Sequence, residues 1–418
     1  MKKVLATLLA LTLILCGASA LAAETIEVET TYTDTNLAVL TEIADAFTAE
    51  TGIEVVIVAP GSEYENVMKI RMGSGDLPDV WETHGWAVKR YSKFLAPLND
   101  EAFIGRMDPS AAAIVTDAEG NIYASCMTLS MGGCIYNVDV LEAAGVDPAK
   151  IHSLQDFYDA CEKIKAIGKV PVYVGGKESG NGAGFFAAIA SAMLTATGSK
   201  FDQGAALLDG TFDWETYGTA VMNEVAYMVN QGYINTDFTT ADTVTQCTAV
   251  GAGECGFLWR HAQNITWARE YVPEANLGFM PYPSYSGEAM AFMSGENYSL
   301  GINKDSEHYD AAVKYVEFCS RPENIEKMCR TLGALPGYAD VSVEGDYTIE
   351  VFRKAQSNFA DVTEYTNLFD RQYFPNGMWG TMGETITMVV MDPTEKGIAA
   401  AVDYCKTAYL EKLEADGN

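Results

Sequence analysis

A repeated change of hydrophobic period constrains the fold more than any other feature of the chain. IEVETTY (26–32) alternates and is rich in β-formers, whereas NLAVLTEIADAFTAETG (36–52) puts Leu37, Leu40, Ile43, Ala44 and Phe47 on one helical face. Asp34 or Thr35 is placed to cap that helix and Gly52 to end it. IEVVIVA (53–59) returns as a strand, its apolar run suited to a parallel sheet covered on both faces. A helix over 63–73, the link GSGDLP, the strand DVWET and a short helix AVKRYSKF complete a first α/β unit, with right-handed crossovers expected.

The alternation continues. CIYNVDVLEAAGV (134–146) reads as a strand feeding a short helix, and Ser153-Leu154-Gln155-Asp156 resembles a capping box for the helix DFYDACEKIKAIG. The strand VPVYVGG, a Gly-rich segment and the apolar helix FFAAIASAMLTATG follow. ECGFLW and NYSLGINK are strands; Asn264 to Tyr271, Tyr309 to Cys319, 348–361 and 382–412 are helical. No Pro/Gly/Ser-rich linker divides the sequence. Two lobes whose chains cross over between them leave that signature.

MKKVLATLLALTLILCGASALAAE has a basic start, an apolar run from Val4 to Leu15 too short for a membrane span, and small residues after it. Residues 1–23 are therefore expected to be a cleaved export signal. Cys16 offers a rival reading, lipidation after cleavage, against which Leu15 stands where a small residue is preferred. About 395 residues remain, enough for two domains. The net charge is −30, and −32 once Lys2 and Lys3 are removed. Such a charge argues against nucleic acid or an anionic membrane as partner and does not itself name a ligand.

Of the cysteines beyond Cys16, none has metal-type C-x-x-C spacing, and a chain this long can build its core without staples. Cys161, Cys319 and Cys405 fit helical apolar faces. Export permits disulfides, with Cys126/Cys134 and Cys247/Cys255 as the first pairs to test.

LPDVWETHGW (77–86) gathers two tryptophans, a histidine and two acids. Glycosidases need two carboxylates flanking one bond, but with 57 acids, pairs such as Asp79 and Glu82 arise by chance. No G-x-S-x-G elbow or H-E-x-x-H pattern occurs, and the four histidines are scattered, so neither a cofactor nor a metal is expected. GKESGNGAGFF (176–186) lacks the ending of a phosphate loop and reads as a turn into a helix, with Glu178 and Asn181 able to face a cleft. Trp81 and Trp267 lie inside elements, where packing explains them. Trp86, Trp259 and Trp379 lie at element ends beside polar residues and glycine. Flat rings in that setting stack on the apolar faces of sugars while neighbouring polar groups bond hydroxyls. In an open α/β sheet, ligands bind outside the carboxyl ends of the strands.

Taken in order, AFTAETGIEVVIV, GSGDLPDVWETHGW with KFLAPL, GGCIYNVDVLEAAGV, SLQDFYDACEKIKAIGKVPV, GECGFLW, LGFMPYP and SGENYSLGINKDSEHYDAAVKYVEFCS resemble the extracellular solute-binding proteins of family 1. These are the maltose-binding-protein-like, mostly sugar-binding subunits of ABC importers. The resemblance implies an α/β, two-lobed periplasmic-binding-protein-like fold with multiple interlobe crossovers and a ligand cleft between the lobes. Mapped here, lobe 1 is 24–128 and 295–335, and lobe 2 is 129–294 and 336–418. It further implies ligand contacts from Thr31, Tyr32 and Asp34 after the first strand, and from Glu82, His84 and Trp86 after PDV. The second lobe would supply Glu178, Asn181, Trp259 and Trp379, with Gly295 and Glu296 at a crossover. Arg260 and His261 depart from the small or polar residues usual at that point and leave a charged ligand open.

The expected function is an extracytoplasmic, monomeric receptor that captures a carbohydrate, an oligosaccharide by expectation, and delivers it to the permease subunits of an ABC transporter. The rivals are a polyamine, peptide or sugar-acid receptor, an exported glycosidase and a surface adhesion module.

Overall fold

The computed structural model describes residues 24–85, 91–117, 119–375 and 377–417. The expected export signal with Cys16, Trp86 and half of the expected helix AVKRYSKF lie outside the described residues. The chain begins as its periods suggest: β1 (Thr25–Glu29), α1 (Asp34–Thr51), β2 (Glu54–Val58), α2 (Tyr64–Ser74) and β3 (Val80–Glu82). β1 pairs in parallel with both β2 and β3. Helix α1 ends on Gly52 at φ 74°, the left-handed conformation that glycine adopts without strain, but Thr33 rather than Asp34 or Thr35 occupies its N-cap. β2 is the sheet edge, so its apolar run is not covered on both faces as expected: Val56 is half exposed.

The chain then builds β4 (Ser125–Asn137), α3 (Leu154–Ala166), β5 (Val170–Val172), α4 (Ser179–Leu194), β6 (Cys255–His261), α5 (Gln263–Tyr271), β7 (Leu277–Met280) and β8 (Met290–Ile302). The capping box of α3 is present: the Ser153 hydroxyl accepts from the Asp156 N–H while the Asp156 carboxylate accepts from the Ser153 N–H. α6 (Tyr309–Cys319), β9 (Leu335–Pro336), α7 (Tyr347–Asn358), β10 (Thr363–Asn367), α8 (Phe369–Tyr373), α9 (Met378–Met391) and α10 (Glu395–Gly417) complete the elements used below. The single C-terminal helix expected over 382–412 is two helices, because Pro393 cannot donate into a continuous helix.

The sheet runs β2-β1-β3-β8-β4-β6-β5, with β10 on β8 and β7 and β9 on β4. Two long antiparallel strands, β4 and β8, form its middle. One end of β8 pairs with β3 through Leu300 to Ile302, and the other pairs with β10 through Met290 to Ser294. β4 matches it, facing Leu300 at Ser125 and Met293 at Gly132, with irregular register between Cys126 and Leu129. These are the crossovers that the missing linker implied. Two large buried clusters interleave along the chain. One holds Phe47, Tyr298 and Phe318; the other holds Phe157, Trp259 and Tyr409.

All eight cysteines beyond position 23 are free and buried. This corrects the candidate disulfides. Cys126 and Cys134 lie in one strand, where eight residues at about 3.3 Å each hold them roughly 26 Å apart. Cys247 points its thiol at Asn264 Oδ1 rather than at Cys255.

Candidate functional site

The site is built on the row where β8, β4 and β6 lie side by side. Ser294 and Gly295 of β8 face Met131 and Ser130 of β4, and Gly132 of β4 faces His261 of β6. Polar side chains gather at this row from both directions.

From the first strands comes a buried carboxylate. Glu82, at the end of β3, accepts from Thr30 Oγ1 at 2.7 Å, Thr31 N at 2.7 Å and Thr31 Oγ1 at 2.9 Å, and its carbonyl accepts from the Tyr64 hydroxyl. Its oxygens are spent on fixing the loop after β1. Tyr32 stacks on Tyr298 at 5.2 Å, donates to Asn297 O and accepts from Asn297 Nδ2, both at 3.2 Å. Burial, and after it the Glu82 charge, pushes its phenol well above the usual range. Asp34 is exposed at the start of α1, accepting from Thr33 Oγ1 at 3.0 Å. Asp79 is structural, bonded by Glu27 N and Ser306 Oγ, and Trp81 packs against Tyr64 and Leu95.

His84 and Glu296 meet across the row, Nδ1 to Oε1, at 3.2 Å, and Arg371 of α8 places Nη1 on the same oxygen. Burial would drive the Glu296 carboxyl up, but the Arg371 charge and the His84 contact outweigh it and hold it at about 2. Burial likewise opposes charge on His84, yet the Glu296 bond and charge win and raise it. Gly295 is needed beside this pair: a Cβ there would come within 2.9 Å of Leu368 and 3.3 Å of Arg371 Nη1. Gly85 and Ile114 from one side and Asn367 and Arg371 from the other line an open pocket, about 300 Å³ of empty space with its solvent-facing part included, floored by Ser294, Gly295 and Glu296.

The second gathering surrounds Gly180. The segment 176–186 is a short turn over 176–178 that enters a helix earlier than expected. α4 begins at Ser179, so the glycines at 180, 182 and 184 are helical. They are small because neighbours are close: a Cβ on Gly180 would lie 3.2 Å from Trp379 Nε1, one on Gly182 3.0 Å from Gly383 O, and one on Gly184 3.2 Å from Arg260 Nη1. Arg260 Nη1 donates to Gly180 O at 2.9 Å, and burial lowers its pKa. Glu178 occupies the N-cap, exposed, its Oε2 bonded by the Thr243 hydroxyl. Asn181 is buried and internally bonded, donating to Gly175 O at 2.8 Å and Thr243 Oγ1 at 3.1 Å and accepting from Gln246 Nε2 at 3.1 Å. His261 is held down to about 3 by burial, then by Arg260 and Arg371, and is neutral. Both arginines act on it, which places the two gatherings side by side.

Of the expected contact residues, Glu178, Asn181, Arg260 and Trp379 converge on the start of α4, and His84, Gly295 and Glu296 on the pocket. Glu82 and Tyr32 flank the pocket through the β1 loop. Trp259 requires correction as a stacking surface. It is 2% exposed and packs on Phe157 at 4.8 Å and on Phe185 and Tyr282 at 5.5 Å, because it faces the core side of β6. Arg371, Ser294 and Asn367 were missed. The run FDRQYF offers no period that separates a charged cleft residue from a surface one; the only hint is a cation between aromatic residues. Among the described residues, no cluster of three or more His, Cys, Asp or Glu could hold a metal, and no helix is long and apolar enough to cross a membrane.

The model of the bacterial extracellular solute-binding proteins matches residues 33–326. The chain belongs to that family. This solute-binding protein is 27% identical over 374 residues to the melibiose/raffinose/stachyose-binding protein MelE of Bacillus subtilis strain 168, covering 88% of this chain and 85% of MelE. It superposes on a putative binding protein of Bacillus subtilis in an open conformation with a TM-score of 0.85 at 26% identity, covering 95% of this chain and 99% of the other. A sugar transporter of Bacillus licheniformis in complex with stachyose gives 0.78 at 29% identity, covering 92% and 99%. The two-lobed fold of these binding proteins is thus the fold of this chain.

Proposed function

We propose that this solute-binding protein captures an oligosaccharide outside the cytoplasmic membrane and presents it to the permease of an ABC transporter. The observation that carries the reading is the pocket at the crossover. Its walls come from segments far apart in sequence, Gly85 and Ile114 on one side and Asn367 and Arg371 on the other, over a floor of β8. A ligand held there touches both walls, so binding favours whichever arrangement brings them together. The polar groups suit hydroxyls, since carboxylate and guanidinium supply strong acceptors and donors. Half-buried Trp379 supplies a ring at the neighbouring gathering. The named ligands of MelE and of the Bacillus licheniformis relative support an α-galactoside-type oligosaccharide.

The lobes in this reading are 24–128 with 295–335, and 129–294 with 336–418. The protein acts as a monomer, by holding its ligand rather than by catalysis. A thermal-shift screen of residues 24–418 against mono- and oligosaccharides, polyamines and sugar acids tests it. An oligosaccharide at a hundred times its Kd adds about 2.7 kcal/mol to the folded state and raises the melting temperature. Stabilisation by polyamines or sugar acids alone, or turnover of an oligosaccharide, overturns the reading.

A further inference from the structure

The pocket at the crossover holds polar groups that the protein itself leaves unsatisfied. Among the described residues, Glu296 Oε2 and Ser294 Oγ have no hydrogen-bond partner, although both are buried. Glu296 and Ser294 are 4% exposed and both line the pocket. Buried polar groups are nearly always bonded, and leaving one unmet costs about 1–3 kcal/mol, so such a cluster marks a place where something else completes the bonding. Ser294 and Glu296 are two residues apart in β8 and so project to one side of the strand. Asn367, the ladder partner of Ser294, and Arg371 close the pocket from β10 and α8.

Charge narrows what fits. Glu296 Oε1 is already engaged by Arg371 and His84, so a bound acid or amine would have to compete with an existing ion cluster for its counter-charge. An ionic ligand group here would have to share a counter-charge already committed to that cluster, which leaves its burial poorly compensated. A hydroxyl fits both ways, donating to Glu296 Oε2 and accepting from Ser294 or Arg371.

We infer that Ser294, Glu296, Asn367 and Arg371 form a specificity subsite that grips one uncharged glycosyl unit by neighbouring hydroxyls. The inference rests on the oligosaccharide-receptor reading and adds to it the residues that decide which sugar unit is accepted. Arg371 acts twice, as a donor to the ligand and as the group that keeps Glu296 ionised and in place.

Titration calorimetry at pH 7 tests it with raffinose, stachyose, raffinose analogues lacking single galactosyl hydroxyls, and raffinose oxidised to the galacturonosyl acid. Arg371→Lys is expected to weaken raffinose binding by about tenfold to a hundredfold, the range for a lost charged hydrogen bond. Ser294→Ala and Asn367→Ala, which leave the ion pair intact, should each weaken it by about threefold to tenfold while the melting temperature of the free protein is kept. At least one deoxy analogue should bind the wild type more weakly, with that difference shrinking in Ser294→Ala. Wild-type affinity in Ser294→Ala and Asn367→Ala, or tighter binding of the galacturonosyl acid than of raffinose, overturns the subsite while leaving the receptor standing. Failure of the wild type to bind any of these glycans overturns both.

Discussion

His84 and His261 lie beside the same arginine, whose charge lowers the pKa of both, yet their net shifts have opposite signs. Glu296 lends His84 a negative partner that outweighs burial, whereas His261 meets Arg260 and Arg371 with no carboxylate between. The signs follow. The pKa of His84 in the folded state lies above the ordinary 6.5, so its contribution to stability is complete below 6.5 and lost as pH rises through the raised value. That of His261 lies at about 3, so its contribution is complete above 6.5 and lost as pH falls toward 3. Glu296, held at about 2, adds a second acid loss below 4.5, worth roughly 3 kcal/mol over that window. Urea unfolding from pH 3 to 9 should therefore show a stability maximum near neutrality. His84→Gln should flatten the alkaline limb and His261→Gln the acid limb; identical limbs in both variants would contradict these assignments. Little of this was legible beforehand. His84 and Glu296 lie over 200 residues apart in sequence, and Arg371 sits in a helix too short to show a period. Trp259 misled for a related reason: a residue near a strand end faces cleft or core according to strand parity, which ECGFLW is too short to fix.

Helices α4 and α9 pack more closely than side chains would allow. A Cβ on Gly383 would fall 1.9 Å from Ser179 O, and one on Gly182 3.2 Å from the Gly383 Cα. Glycine inside a helix costs up to about 1 kcal/mol relative to alanine, so these positions are kept for contact and not for helicity. Gly383→Ala should destabilise the protein by about 3 kcal/mol despite its better propensity, measured as a lower urea midpoint with unchanged slope. A neutral or stabilising outcome would show that the helices can separate freely. The same contact fixes the start of α4, where Arg260 and Trp379 meet Gly180, so affinity should fall alongside stability. Sequence periodicity found most helices and the strands of the first unit, since α1 and α6 carry clear apolar faces. It placed the start of α4 too late within 176–186 because glycine signals flexibility locally, and only the partner helix shows why glycine is there.

At the scale of the whole molecule, stability rests on core size rather than on covalent links. Burial pushes the thiols of Cys126, Cys247, Cys319 and Cys405 up to about 12, so they remain protonated and unreactive. In residues 24–418 no cysteine should react with a thiol reagent under native conditions and all eight should react in denaturant. Reductant should leave the melting temperature unchanged; a fall of several degrees would reveal a disulfide. The two-lobed architecture was legible in the alternation of elements and the lack of a linker, but the pairing of β8 with β3, β4 and β10 was not, because strand neighbours far apart in sequence leave no local trace. That pairing has a consequence in time. β3 and β4 are adjacent to the same strand, yet residues 290–302 are made more than 150 residues after β4 begins. Until they emerge from the ribosome, both strands present open edges that invite pairing with other chains. Closing so long a loop is slow. A nascent chain of this design therefore stays pliable and in need of shielding until late in its synthesis.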